Sequence, residues 1–328
     1  MNNKRINPLI TILLCAFAAV ILTILVLYVF VGYRYINDTE HGIKFIGMTR
    51  DGLARDGKLY YADGTRGTLS SETSTILLDN GEQYTGELFG FLPDGTGILK
   101  KADGTVYDGS FDKGVCTGEA QISYKSGDVY TGKLVDGDRD GFGCYESADG
   151  TIYTGNFTKN LKNGRGKTAF ADGSVYIGEY KSSIKEGYGA YLFKNGDIFV
   201  GEFKADKRTG KGIYIWAKSE EYASEFDELF AAVDFKDGVD ETFFDYFTSE
   251  FSRHFAEGTL PTLLSQNQFW QGFEKILTRS QVECYVGDFK ENLLSGQGSY
   301  RWLSGRVLTG EFVNGEIKTE SENETENE

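Results

Sequence analysis

A 23-residue interval recurs along most of this chain and restricts what the chain can fold into. The pattern Tyr-x-Gly-x-aromatic or Leu starts at six consecutive positions of this interval: Tyr84, Tyr107, Tyr130, Tyr153, Tyr176 and Phe199. Glycines follow eleven and thirteen residues after these starts, except that Ala120 takes the place of one second glycine. After an interruption the pattern returns at Tyr285 and Leu308. A fixed period of this length is typical of proteins built from one repeated supersecondary unit.

The spacing within a unit predicts two short antiparallel strands. Side chains at i, i+2 and i+4 of a strand share a face, so Tyr153, Gly155 and Phe157 lie together. The glycine pair on the next strand leaves room for those rings to lie flat on the neighbouring backbone. Between units, steps such as Asp149-Gly150 tolerate the positive φ of a tight turn. We therefore predict an all-β fold, an elongated single-layer antiparallel meander of 23-residue hairpins.

The segment YTGNFTKNLKNGRGKTAFADGSVYIGEY, residues 153–180, resembles the MORN repeat family, whose pattern is YxGxWxxGxxxGxGxxxxxDG. The resemblance covers about residues 84–216 and 285–316, with Phe, Leu or Tyr where the family often has Trp. Residues 41–81 are interpreted as degenerate opening units. The resemblance implies a β-solenoid that associates with membranes or proteins, and it does not imply an enzyme.

The N-terminal region predicts a transmembrane helix. Residues 9–33 carry no charge, and a helix of this length, about 37 Å, is enough to cross a bilayer. A cleaved signal peptide is the alternative, but its apolar region is usually shorter. Lys4 and Arg5 favour a cytoplasmic N-terminus, with the C-terminal bulk extracytoplasmic.

Residues 219–279, which interrupt the repeats, have apolar residues at helical spacing. This spacing predicts a three-helix insert. Its second helix, from Asp240 to about Gly258, carries Phe243 and Phe244. A third, from about residue 260 to 278, carries Trp270. Two interpretations remain open. Either these aromatic residues form a hydrophobic core within the insert, or Phe243, Phe244 and Trp270 are partly exposed and dock a partner.

The amino-acid composition limits the functions that the chain can have. The chain has 49 acidic against 34 basic residues, a net charge of −15, which disfavours nucleic acid because phosphates need a basic face. It has two histidines and no motif of a known catalytic centre, so we expect no enzyme, no cofactor and no metal site. Asp136, Asp138 and Asp140 are spaced like calcium ligands, but a solvated hairpin turn is favoured there, and calcium stays open.

The sequence therefore predicts a non-catalytic, single-pass membrane scaffold that presents an acidic, aromatic-lined β-rod to a protein, wall or lipid partner. The predicted binding face comprises Tyr130, Tyr153, Tyr176 and Phe199. A surface protein that binds cell-wall carbohydrate is the alternative, and an enzyme with its site in the insert is a third hypothesis. The predicted segments are a cytoplasmic N-terminus (1–8), a transmembrane helix (9–33), a juxtamembrane region with degenerate repeats (34–83), repeats (84–218), the helical insert (219–279), repeats (280–316) and a disordered acidic tail (317–328).

Overall fold

A computed structural model describes residues 8–218, 220–233, 243–244, 268–279 and 282–318. The chain divides into two units, Met1–Lys125 and Ser126–Glu328, and each is described by itself. Most of the predicted second helix of the insert lies outside the described residues. The same is true of the predicted acidic tail beyond residue 318 and of the first seven residues.

The described part of the first unit contains one helix followed by nine strands. Each strand pairs antiparallel with the next one along the chain. The elements are α1 (Pro8–Val29), β1 (Tyr33–Asp38), β2 (Ile43–Arg50), β3 (Leu53–Tyr61), β4 (Arg66–Ser70), β5 (Thr75–Leu78), β6 (Gln83–Phe89), β7 (Leu92–Lys100), β8 (Val106–Asp112) and β9 (Val115–Ser123).

Helix α1 is long and apolar enough to cross a membrane, judged by length and composition. Its segment Leu9–Val29 has a mean hydropathy of 3.0, and none of that segment is buried against the rest of the protein. The helix ends at Val29, four residues before the predicted boundary, because the chain turns at Gly32 with a φ of 74°. The Gly32 carbonyl then accepts hydrogen bonds from the backbone N–H and the hydroxyl of Thr49, each at 2.9 Å.

The second unit continues the same antiparallel pairing through twelve strands in its described part. Strands β17 and β18 are hydrogen-bonded neighbours, with Gly212 opposite Gly287, although the insert separates them in sequence. The elements are β10 (Val129–Val135), β11 (Asp138–Glu146), β12 (Ile152–Thr158), β13 (Leu161–Ala169), β14 (Val175–Lys181), β15 (Ile184–Leu192), β16 (Ile198–Lys204), β17 (Lys207–Trp216), α2 (Glu220–Ala232), α3 (Gln268–Leu277), β18 (Glu283–Lys290), β19 (Leu293–Arg301), β20 (Val307–Val313) and β21 (Glu316–Ile317). The predicted all-β meander of antiparallel hairpins, with an N-terminal helix and a helical insert, is confirmed.

Two kinds of turn alternate along the second unit. Between successive repeats, the Asp149 carboxylate accepts a hydrogen bond from the Thr151 N–H at 2.8 Å, and Gly150 has a φ of 92°. This is the Asp-Gly turn that the sequence predicted. Between the two strands of one repeat, two-residue loops take positive φ at both positions, as at Lys159 (47°) and Asn160 (69°). Positive φ at both central residues matches the right-handed twist of the flanking strands.

The aromatic rings lie on glycine pairs, as the sequence predicted. Gly155 is opposite Gly166 on the adjacent strand, and a Cβ added to Gly166 would lie 2.6 Å from the Tyr153 ring. The Tyr153 hydroxyl donates to the Asn156 carbonyl at 2.8 Å, and its ring meets Phe157 edge-on at 5.0 Å. The same arrangement repeats with the ring buried at Tyr84, Tyr130, Tyr176, Phe199 and Tyr285.

The repeat that begins at Tyr107 departs from this arrangement, because Ala120 takes the place of one glycine of the pair. Gly109 is paired with Ala120 rather than with a second glycine, and a Cβ added to Gly109 would meet the Ala120 methyl at 2.5 Å. Tyr107 of that unit is half-buried, whereas the corresponding Tyr130 is completely buried. A single methyl group in the glycine gap therefore accompanies incomplete burial of the ring.

The described part of the insert packs on the opposite face of the sheet in the second unit. Ile177 and Val200 point away from the aromatic face, and with Ile213 they share one buried cluster with Phe230 and Trp270. Lys167 fixes the end of α2, because its ammonium donates to the carbonyls of Phe230 at 2.7 Å and Val233 at 2.8 Å. In the described residues, the aromatic side chains of the insert pack both against one another and against the sheet.

Candidate binding surface

The four rings predicted to contact a partner are buried in the sheet. Tyr130, Tyr176 and Phe199 have no exposed surface, and Tyr153 is 1% exposed. Their rings pack edge-on against neighbouring rings, for example Tyr176 against Phe203 at 5.1 Å. In this structure they hold adjacent hairpins together, and direct contact with a partner stays a prediction.

The three aromatic residues predicted to dock a partner from the insert are also buried. Phe243 and Trp270 stack with centroids 5.1 Å apart, and the Trp270 indole N–H donates to the Phe243 carbonyl at 2.8 Å. Phe244 lies under the Arg165 guanidinium, 4.5 Å from its ring centre. The first two contacts lie within the insert, and the third joins the insert to the sheet. A docking role for these residues also stays a prediction.

Four cations lie in a row above the buried rings of the second unit. Each stands nine residues after a repeat start, near the beginning of the second strand of a hairpin. We call this set the cationic row: Arg139, Lys162, Lys185 and Arg208. The corresponding positions in the first unit are Pro93 and Cys116, and Leu294 follows the row in the second unit. The row is therefore confined to four consecutive repeats of a chain whose net charge is −15.

Each member of the cationic row contacts aromatic rings. The Lys162 ammonium lies 4.6 Å from the centre of Tyr153, and the Arg208 guanidinium lies 4.9 Å from the centre of Tyr214. Arg139 lies 4.8 Å from the centre of Tyr145. A cation within about 6 Å of a ring face is attracted by the ring quadrupole. These contacts hold the charges on the aromatic face.

Backbone carbonyls and one carboxylate fix three of these cations, while Lys162 differs. Arg139 donates to the Asn160 carbonyl at 2.9 Å, and Lys185 pairs with Asp206 at 3.2 Å. Burial lowers the pKa of Lys162, and the neighbouring charges of Lys185 and Arg139 lower it further. Within the described part of the chain, no carboxylate or carbonyl partners the Lys162 ammonium. Its charge is available to an external anion.

A series of half-buried rings borders the cationic row on the side of the Asp-Gly and Asn-Gly turns. Successive centroids are between 4.5 Å (Tyr191 to Phe193) and 5.9 Å (Phe170 to Tyr191) apart. We call this series the aromatic track: Phe170, Tyr191, Phe193, Tyr214, Trp216, Tyr300 and Trp302. Its members keep part of each ring at the surface, so they offer apolar contact area beside fixed positive charge.

Hydrogen bonds to the preceding turn orient the phenols of this region. The Tyr214 hydroxyl donates to the Asp197 carboxylate at 2.7 Å, and the Tyr145 hydroxyl donates to Asp128 at 2.9 Å. Burial raises the pKa of Tyr214 well above its usual range, and the Asp197 carboxylate raises it further. The pKa of Asp128 is lowered, first by the hydrogen bond from the Ala148 N–H and then by that from Tyr145. Both phenols therefore donate to a carboxylate, which fixes the planes of their rings.

The sequence carries a signal for both surfaces, at positions where the repeats differ from one another. The cationic row is a single repeat position, visible once the units are aligned at their first residue. The aromatic track occupies two positions, fifteen and seventeen residues after the start, as in Tyr191 and Phe193 of the unit that begins at Tyr176. The predicted binding residues came instead from positions that the units share, so neither surface was predicted.

The Asp136–Asp140 segment forms a hairpin turn. Asp136 and Gly137 have φ values of 51° and 83° and connect β10 to β11. Asp138 accepts a hydrogen bond from the Asn160 side-chain amide. Among the described residues, no group of three or more His, Cys, Asp and Glu is placed to hold a metal ion.

Comparison with known proteins agrees with this geometry. The family model of the MORN repeat matches six segments, namely residues 107–129, 130–152, 153–175, 176–198, 199–220 and 285–305. These segments are therefore MORN repeats, and together they contain the whole cationic row and the whole aromatic track. The units that begin at Tyr84 and Leu308 lie outside the matched segments. No curated protein matches the chain in sequence.

Some solved structures are similar to parts of the chain. One is the TCP10 domain of Danio rerio CPAP in complex with a peptide of Danio rerio STIL, at 15% identity and a TM-score of 0.30, covering 57% of this chain and 90% of that chain. Another is the TCP10c domain of Drosophila melanogaster Sas-4, at 19% identity and a TM-score of 0.24, covering 45% of this chain and 99% of that chain.

Proposed function

We propose that this protein is a membrane-anchored, non-catalytic binding protein. Its partner lies across the strands of the second unit, on the face that carries the cationic row and the aromatic track. One observation supports this most strongly: four cations share one repeat position in a strongly acidic chain, and each is held over aromatic rings. A structural role alone does not require charge at this position, since other repeats have Pro93, Cys116 or Leu294 there.

Binding is favoured over catalysis by the way in which the groups are arranged. A catalytic centre brings an acid, a base or a nucleophile together at one reacting atom. Here the cations lie on β11, β13, β15 and β17, so equivalent groups are spread along the sheet. An arrangement that repeats one contact at intervals suits an extended partner.

Helix α1 supplies the proposed membrane anchor. Its apolar side chains are exposed, as a helix surrounded by lipid requires. The Arg34 guanidinium lies 3.8 Å from the centre of the Tyr28 ring and donates to the Tyr28 carbonyl. A cation at a helix C-terminus is favourable for the helix dipole, and a Tyr–Arg pair suits the membrane interface. We further propose that the N-terminus is cytoplasmic and that the repeats are extracytoplasmic.

Protease protection in intact cells tests this orientation. We expect external protease to digest the repeats without detergent. Digestion that begins only after the membrane is permeabilised would contradict the orientation while leaving the anchor in place.

Carbohydrate binding is a second candidate, favoured by the aromatic track. Partly exposed rings in a row, such as Phe193 and Trp216, provide flat apolar surfaces of the kind on which sugar rings stack. A protein partner and a glycan partner would both use the same face, and they differ in their sensitivity to protease and to periodate.

A binding experiment with the full chain in nanodiscs tests the proposal. Wall, membrane and soluble fractions of the cells that carry the protein are incubated with the wild type and with two variants. The row variant changes all four members of the cationic row to Gln. The control variant makes the same charge change at four exposed lysines on first strands or in adjoining turns: Lys133, Lys159, Lys181 and Lys204.

We expect one fraction to bind the wild type and the control variant but to lose the row variant. Prior protease treatment of that fraction abolishes binding if the partner is a protein, whereas periodate abolishes it if the partner is a glycan. Equal retention of the row variant and the wild type would refute the proposed surface.

A further inference from the structure

The interval between the charges of the cationic row limits what the partner can be. Its members lie on alternate strands, and adjacent strands are 4.7–4.9 Å apart, so the backbone positions of successive members are about 9.6 Å apart across the sheet. The four backbone positions therefore span about 29 Å. A partner that pairs with each of the four cations must present an anionic group to one side at this interval.

Few peptide conformations meet this requirement. A polyproline II helix has three residues per turn and a rise of 3.1 Å, so every third residue faces the same side at about 9.3 Å. Three such intervals give about 28 Å, within about 1 Å of the row. In an α-helix the nearest match is every seventh residue, at about 10.5 Å, and the mismatch grows to almost 3 Å over the row. In a β-strand, every third residue alternates between faces.

The neighbouring surface fits the same conformation. Polyproline II peptides bind in grooves lined by aromatic side chains, and they lose little entropy because they are already extended. The aromatic track runs beside the cationic row at Lys162, Lys185 and Arg208, with half-buried rings at each of these repeats. The Lys162 ammonium has no anionic partner among the described residues, so it can receive a carboxylate without giving up an existing pair.

We infer that the partner is an acidic polyproline II peptide with a carboxylate at every third residue. This inference rests on the proposed function and names the partner of the same surface. The carboxylates pair with the cationic row, and the intervening residues pack on the aromatic track. The acidic remainder of the chain repels such a peptide elsewhere, which confines binding to these four repeats.

Two synthetic peptides test the inference. Four Glu-Pro-Pro triplets place four carboxylates at the required interval, while four Glu-Pro-Pro-Pro quartets carry the same charge at the wrong interval. Each peptide is titrated into the full chain in zwitterionic nanodiscs at low salt, with fluorescence anisotropy as the readout. Polygalacturonate, an anionic glycan, serves as the third probe. The row variant, the control variant and Lys162→Gln are measured alongside the wild type.

We expect the triplet peptide to bind at least tenfold more tightly than the quartet peptide. The row variant should lose at least tenfold in affinity for the triplet peptide, the Lys162→Gln variant about threefold, and the control variant less than twofold. Equal affinity for the two peptides, or tight binding of polygalacturonate without binding of the triplet peptide, would refute the inference. If cell fractions still bind in a row-dependent manner in that case, the proposed function stands and only the identity of the partner is wrong.

Discussion

The substitution Gly189→Ala tests whether glycine gaps hold the repeats together. A Cβ at this position would lie 2.6 Å from the Tyr176 ring, which is fully buried and donates a hydrogen bond to the Glu179 carbonyl at 3.0 Å. The ring must therefore move outward. Loss of its burial costs about 2 kcal/mol, and loss of the hydrogen bond costs about 1 kcal/mol. We expect the free energy of unfolding to fall by about 3 kcal/mol, which makes this a severe change for one methyl group.

The assay combines denaturant unfolding of the full chain in mild detergent with hydroxyl-radical footprinting of Tyr176 in nanodiscs. We expect a lower unfolding midpoint together with increased labelling of that ring. Gly310→Ala is the control, because the nearest atom to the new methyl is the end of the flexible Ile317 side chain at 3.2 Å. A change below about 0.5 kcal/mol with Tyr176 still protected would show that the gap is not required.

Three further predictions concern the same elements. Ala120→Gly recreates the missing gap, so footprinting should show Tyr107 more protected than in the wild type; unchanged labelling would contradict the role given to the Ala120 methyl. Lys167→Met removes the donor that caps α2 and should cost about 1–3 kcal/mol locally, seen as faster hydrogen exchange in residues 220–233 but not in β10–β12. The hydrogen bonds from the Ser174 hydroxyl and N–H lower the pKa of Asp172, so its stabilising effect is present above the unfolded pKa and is lost as pH falls through the folded value. Between pH 5 and pH 2 the unfolding midpoint should therefore fall less in Asp172→Asn than in the wild type, and equal falls would contradict the role of this carboxylate.

The recurring tyrosine and glycine positions made most of the fold predictable from the sequence. Tyr153, Gly155 and Gly166 recur in register, and only a paired-strand arrangement brings a ring onto two glycines of neighbouring strands. The turns between the two strands of one repeat were harder to predict from the sequence. Ser182 and Ser183 both take positive φ, at 52° and 67°, although serine has no strong preference for it. The pairing of the flanking strands imposes this conformation, so the residues of the turn themselves indicate it only weakly.

The packing of the insert was predicted only in part. Its aromatic residues were identified, but the surface that covers them was not. The residue after each repeat start faces away from the aromatic side, and it is polar at Thr131 and Thr154 but apolar at Ile177, Val200 and Val286. This change occurs next to the insert and marks where the sheet is covered. It can be read from the sequence only when the two faces are compared separately.

The cationic row was not predicted for a different reason. Charged residues at one repeat position are not needed for folding, so they do not belong to the pattern that defines the repeat. Only the structure shows that Lys162 and Lys185 lie above buried rings and near each other. Residues at which repeats differ are thus better indicators of function here than residues at which they agree.

Site-specific photocrosslinking in cells tests the proposed binding surface most directly. A benzoylphenylalanine replaces Tyr191 on the aromatic track in one protein, and Thr131, exposed on the opposite face, in another. The proposal predicts a crosslinked species at position 191 that disappears in the row variant and is absent at position 131. Crosslinks of equal yield at both positions, or a crosslink at position 191 that persists in the row variant, would contradict it.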